Sequence, residues 1–265
     1  MATSNRANRQ PIPAWGDENA AEAWDATQHS RELREKAERA HKIKCDHLRE
    51  RVWQAVNMGD DDSIFLVIRA ADKDDEIESM KEIVDPQIED GVTPVYHACK
   101  HGHAECARQL MMAGAAAGRA TKAGKLTPLF AAAGSGKLAC VDLLLKQRDT
   151  RIEYRTTDGR TALYAAAESG AVDCVKLLIA NGANLDARRN DKSTPLIVAS
   201  YLGHAEVVEA LLNAGAKLKL KDADGTAFDN AQRQKQAACL DLLAKAFKAR
   251  GTMEDAGEEE PAELS

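Results

Sequence analysis

The chain has 265 residues, 44% of them hydrophobic and 29% charged, with a formal net charge of −6. That length allows one extended domain or two compact ones, and the negative balance makes nucleic acid an unlikely general partner. Aromatic residues are only 4% of the chain, so alanine and leucine must fill the core, which suits packed helices better than a β-sandwich.

Residues 1–18 are polar and include Pro11 and Pro13. They lack the apolar stretch of a signal peptide and read as a disordered N-terminus. No apolar run approaches the roughly 20 residues of a membrane span, so no membrane role is expected. These readings point to the cytoplasm or the nucleus, where the six cysteines are thiols rather than a disulfide framework.

Residues 19–58 form a helical arm running into a degenerate first repeat. Neither glycine nor proline interrupts Asp17–Met58, and Glu32–Lys36, Glu35–Arg39 and Glu38–Lys42 are i,i+4 pairs in the favourable order. Cys45, Leu48, Val52 and Ala55 make an apolar stripe that either caps the repeats beyond it or docks a partner. Residues 59–90 complete that first unit and continue as an acidic loop, with nine acids against two lysines between Asp72 and Asp90.

Residues 91–250 are periodic. TPVYHACKHG from Thr93, TPLFAAAGSG from Thr127, TALYAAAESG from Thr161 and TPLIVASYLG from Thr194 align without gaps, and TAFDNA from Thr226 follows more loosely. The starts are 34, 34, 33 and 32 residues apart. Leu110, Leu144, Leu178, Leu211 and Leu243 fall at one phase of the period, and Gly102, Gly136, Gly170 and Gly203 at another. Each unit reads as two helices: threonine caps the first, proline opens it, glycine turns the chain, and an apolar stripe marks the second. Ala55 and Gly59 repeat the alanine-to-glycine spacing of Ala98 and Gly102, which adds the upstream unit. Residues 251–265 read as an acidic disordered tail.

These strings resemble the ankyrin repeat. The resemblance implies an all-α solenoid of stacked helix pairs with short β-hairpin fingers, preceded here by the N-terminal helical segment. Three departures stand out. Arg148 replaces a helix-ending glycine, so the third unit either ends differently or holds a left-handed arginine. Ala123-Gly124-Lys125-Leu126 shifts a finger glycine by one residue, and Lys235 replaces the turn glycine in a polar last unit suited to capping.

Chemical motifs are weak. Gly134-Ser135-Gly136-Lys137 lacks the glycine at 131 and the hydroxyl at 138 of a phosphate loop. His97, Cys99, His101, His103 and Cys106 suggest a metal cluster. However, Cys106, Cys140, Cys174 and Cys239 share the phase of Val207, which marks a small buried hydrophobe. No nucleophile elbow supports hydrolysis. Neither catalytic residue, cofactor nor metal is expected, and the chain reads as a non-enzyme.

The resemblance implies a scaffold or adaptor that binds another protein on a concave face; the alternative is a regulatory subunit or inhibitor masking a partner enzyme. The corresponding positions include Lys100, His101, Glu168, Ser169, Tyr201 and Leu202 on first helices, and Arg189 and Asn190 on a finger. Tyr201 and Leu202 are large and apolar where solvated groups belong. Sixteen bases against ten acids between Ala115 and Lys221 put Arg155, Arg160, Arg188, Arg189 and Lys192 around them. That basic rim favours a partner with an acidic surface. Tyr96, Phe130 and Tyr164 share one phase, as a core ladder or a partly exposed stripe.

Overall fold

The computed structural model describes residues 18–73, 80–86 and 89–254, and side chains over 30–73, 80–86 and 90–249. The expectations for the two termini therefore lie almost wholly outside the described residues. The chain divides into two compact units, Met1–His47 and Leu48–Ser265. The first unit's described part is all helix α1, which runs from Glu18 to Met58. Glu35 pairs with Arg31 at 3.3 Å and Arg39 at 3.7 Å on its exposed surface.

The second unit is a stack of helix pairs. Gly59, with φ 69°, turns the chain from the end of α1 into α2 (Asp61–Asp72). Then come α4 (Pro94–His101) with α5 (Ala104–Met112), α6 (Pro128–Gly134) with α7 (Leu138–Leu145), and α8 (Ala162–Ser169) with α9 (Val172–Ala180). The stack closes with α10 (Pro195–Leu202) and α11 (Ala205–Asn213), then α12 (Ala227–Arg233) and α13 (Ala237–Glu254). The five threonines do what their position requires. Each hydroxyl accepts from the N–H three residues on, at 3.2–3.3 Å, satisfying a donor the helix leaves unpaired.

Within the stack each helix touches the same-row helix of the next pair: α4, α6, α8, α10 and α12 in one row, α5, α7, α9, α11 and α13 in the other. The first row packs more closely because its contact residues are small, including the buried Ala131–Ala133 and Ala165–Ala167. Leu110, Leu144, Leu178, Leu211 and Leu243 are all fully buried between the rows, and each contributes about 1.5–3 kcal/mol by leaving water.

The glycine that follows each first helix has a second duty. Gly59 and Gly170 have φ of 69° and 72°, which an L side chain rarely adopts. A Cβ on Gly59 would also collide with the His103 ring, and one on Gly170 would meet the His204 ring at 2.7 Å. The histidine of one unit thus fills space left by the glycine of the unit before. His204 extends the lock with a 3.1 Å contact from Nε2 to the Glu168 carbonyl.

The fingers are turns, and no strand occurs among the described residues. Few backbone bonds close them: Thr121 to Leu126 at 2.9 Å, Thr156 to Arg160 at 3.0 Å with Gly159 to Thr156 at 2.9 Å, and Arg189 to Ser193 at 2.9 Å with Lys192 to Arg189 at 2.8 Å. Lys122 donates to Asp90 at 2.7 Å, Thr157 to Gly124 at 3.0 Å and Asn190 to Asp158 at 3.0 Å, one backbone bond from finger to finger. Single bonds of this kind link turns without building a ladder. The five-residue step from Thr121 to Leu126 confirms the shifted glycine, and Gly124 and Lys125 both take positive φ there.

The other two departures have opposite outcomes. Helix α7 ends at Leu145, and Arg148 is not left-handed; Gln147 donates to Leu144 at 3.0 Å, so the third unit ends differently. Lys235 does adopt the glycine-like conformation, with φ 57°. Within the acidic 59–90 stretch, α3 (Met80–Val84) buries Ile83 and Val84 completely. Asp85 follows it, buried and 3.0 Å from Arg119. Burial pushes its carboxyl above the usual range, and the Arg119 guanidinium opposes that shift.

Candidate protein-binding surface

Lys100, Gly134, Glu168 and Tyr201 occupy the same position on α4, α6, α8 and α10, and His101, Ser135, Ser169 and Leu202 the next. The helices of this row pack in sequence, so the eight positions form a double line across the face that bears the fingers. Lys100, His101, Ser135, Ser169, Tyr201 and Leu202 are exposed, and Glu168 is half-buried. Tyr201 and Leu202 are each 41% exposed and side by side, which leaves an apolar step at this end of the line.

The basic rim is divided by its own ion pairs. Arg160 approaches Asp158 at 2.7 Å and donates to Glu168 at 2.9 Å, and its guanidinium lies 5.3 Å over the Phe130 ring. Arg189 pairs with Asp191 at 3.1 Å and Asp158 at 3.6 Å. Desolvation opposes ionisation of Asp158, but the Thr156 hydroxyl and the two arginines hold its carboxyl below the ordinary value. Arg155 donates through Nη2 to the Arg188 carbonyl. Asn190 donates to the Thr157 carbonyl at 3.1 Å, so this side chain ties two fingers together. Arg188 and Lys192 remain exposed without an ion pair to any described residue. Lys100, Arg160, Glu168 and Ser169 come together between α4, α6 and α8, while Arg160, Arg189 and Asn190 are engaged internally.

The structure adds what the sequence did not reveal. A cavity of about 320 Å³ opens between α4, α6 and α8, floored by Ala131, Gly134 and Ala165 and walled by Tyr96 and Phe130. Lys100, Arg160, Glu168 and Ser169 stand at its edge. The absence of a side chain at Gly134 was the available signal. The shared phase of Tyr96, Phe130 and Tyr164 is mainly core: Tyr96 and Tyr164 are buried, and only Phe130 is half-exposed.

His97 lies 5.8 Å edge-on from Trp53 and 4.4 Å from His101, and no group suited to a metal ion occurs among the described residues. All six cysteines are free and buried. Burial raises the thiols of Cys106, to about 11, and of Cys174 and Cys239. Cys99 hydrogen-bonds Cys140 across two units, which raises the Cys99 thiol further; that pairing mixes two phases of the repeat and leaves no periodic trace in the sequence.

Helix pairs that stack row on row, joined by turn fingers, define an α-solenoid of tandem repeats. A family model described as ankyrin repeats, in three copies, matches residues 53–156 and 149–222. The chain belongs to the ankyrin-repeat family, whose repeats are generally protein–protein interaction modules. No curated protein matches the chain. No helix among the described residues is long and apolar enough to cross a membrane.

Proposed function

We propose that the chain is a scaffold or adaptor that binds another protein on the face formed by the first helices and fingers of the third to fifth repeats. The observation that carries this reading is the exposure of Tyr201 and Leu202, 41% each, in line with the fingers. Large side chains held on a rigid helix lose little entropy on docking and shed water to a partner. Arg188, Lys192 and Arg155, exposed beside Asn190, favour an acidic partner surface and speed its approach. Nothing in the line of Lys100, His101, Glu168 and Ser169 opposes a partner spanning the whole row.

Affinity capture with the intact chain, followed by binding measurements on each captured protein, tests the proposal. Replacing Tyr201 and Leu202 together by alanine should weaken a true partner at least tenfold. Arg188→Glu with Lys192→Glu should slow its association and flatten the salt dependence. Those two are better probes than Arg189, whose pairs with Asp158 and Asp191 hold the finger. Unchanged affinity in both folded variants would move the site elsewhere.

A further inference from the structure

The cavity between α4, α6 and α8 is not accounted for by folding. Gly134 is the last residue of α6, and its φ is not positive. A Cβ there would meet only the Ala165 methyl, at 3.4 Å, an ordinary contact. Glycine in a helix costs about 0.5–1 kcal/mol against alanine. Neither backbone conformation nor crowding requires it, and the effect of leaving out the side chain is to keep the cavity open. Its volume of about 320 Å³ and its floor of Ala131 and Ala165 beside the Phe130 ring suit an apolar side chain.

The charges at the edge are unequal. Arg160 is held by Glu168 and Asp158. Lys100 is exposed and makes no ion pair with any described residue. A cationic group arriving here meets Lys100 and finds Glu168 already neutralised; a carboxylate finds Lys100 unopposed. Lys100 sits one helix along the row from Gly134, on the order of 10 Å at usual helix spacing. Same-face side chains of an extended strand recur every ~7 Å, and the lysine stem covers the remainder.

On the reading that this face binds protein, we infer that the cavity seats one apolar side chain of an extended partner segment, and that Lys100 holds an acidic side chain two residues away on that segment. The partner is therefore recognised by a short apolar–any–acidic pattern at this end of the row, apart from the Tyr201–Leu202 step.

The test is selection of random linear peptides displayed on phage against the intact chain, followed by fluorescence anisotropy with the synthetic consensus peptide. The pattern should emerge. Gly134→Leu, which fills the cavity, and Lys100→Glu should each weaken the peptide about tenfold or more. A peptide with its acid changed to lysine should bind the Lys100→Glu chain better than it binds the unaltered chain, a reversal that loss of folding cannot mimic. Should Gly134→Leu disturb the helix, Ser135→Trp closes the cavity from its exposed rim and serves in its place. An empty selection, peptides without the pattern, or affinities unmoved by these substitutions would overturn the inference. If the selected peptides ignore Gly134→Leu and Ser135→Trp yet are lost with Tyr201→Ala/Leu202→Ala, the binding face stands and this seat on it falls. If they ignore both sets, both readings fall.

Discussion

At the scale of single residues, the five phase-locked leucines are the plainest case of sequence dictating energy. Leu144, Leu178 and Leu211 are fully buried between the helix rows, so replacement of any one by alanine removes its transfer energy and leaves a hole. Each should cost about 2–5 kcal/mol in chemical denaturation; a loss under about 1 kcal/mol at all three would contradict the packing. His97 makes a pH prediction. Burial, then the neighbouring His101, Lys100 and His103, holds its pKa below the ordinary 6.5. The stability it contributes is complete above that value and is lost as pH falls through it toward the lower, folded-state value. The guanidinium midpoint should therefore drop between about pH 7.5 and about pH 5, and drop less in His97→Phe, which keeps a ring against Trp53. The leucine and threonine positions were legible because they repeat. The Cys99–Cys140 bond and the charges around His97 were not, because they join residues of different phase.

At the scale of elements, helix boundaries followed from the caps. Removing one cap, Thr161→Ala, should cost about 1 kcal/mol in thermal or chemical unfolding. The fingers were less legible. A Gly-containing turn announces itself, but whether it grows into a hairpin depends on how many bonds the flanks can make, and here these bonds stop at the turn itself. Lys192 sits where Gly159 sits one unit earlier and is left-handed, with φ 68°. Lys192→Gly should relieve that strain and raise stability by about 1 kcal/mol; a destabilised variant would mean the lysine side chain anchors the finger. Arg148 shows the opposite resolution, in which α7 ends in a plain turn and the strained residue is avoided.

At the scale of the whole stack, coupling runs only between neighbours, and stability is distributed accordingly. Leu178→Ala strikes a unit supported on both sides and should speed amide hydrogen exchange throughout residues 94–213. Leu243→Ala strikes the last pair, supported on one side, and should loosen residues 227–249 while leaving α4 and α6 protected. Uniform loss in both variants would mean the stack unfolds as one block. The repeat architecture was the most legible feature of all, since a period needs no knowledge of any single contact. The cavity at Gly134 was the least, since it is made by what one unit omits. The same stack has a mechanical character. Its helices press on one another along both rows, whereas the finger side is joined by one backbone bond per junction, worth about 1 kcal/mol net. Side chains reinforce two of these junctions: the Asn190 amide and the Arg189–Asp158 pair join Asp158 to Asn190, and the Thr157 hydroxyl donates to the Gly124 carbonyl at 3.4 Å. Such a body is a leaf spring, stiff through the helices and compliant along the fingers.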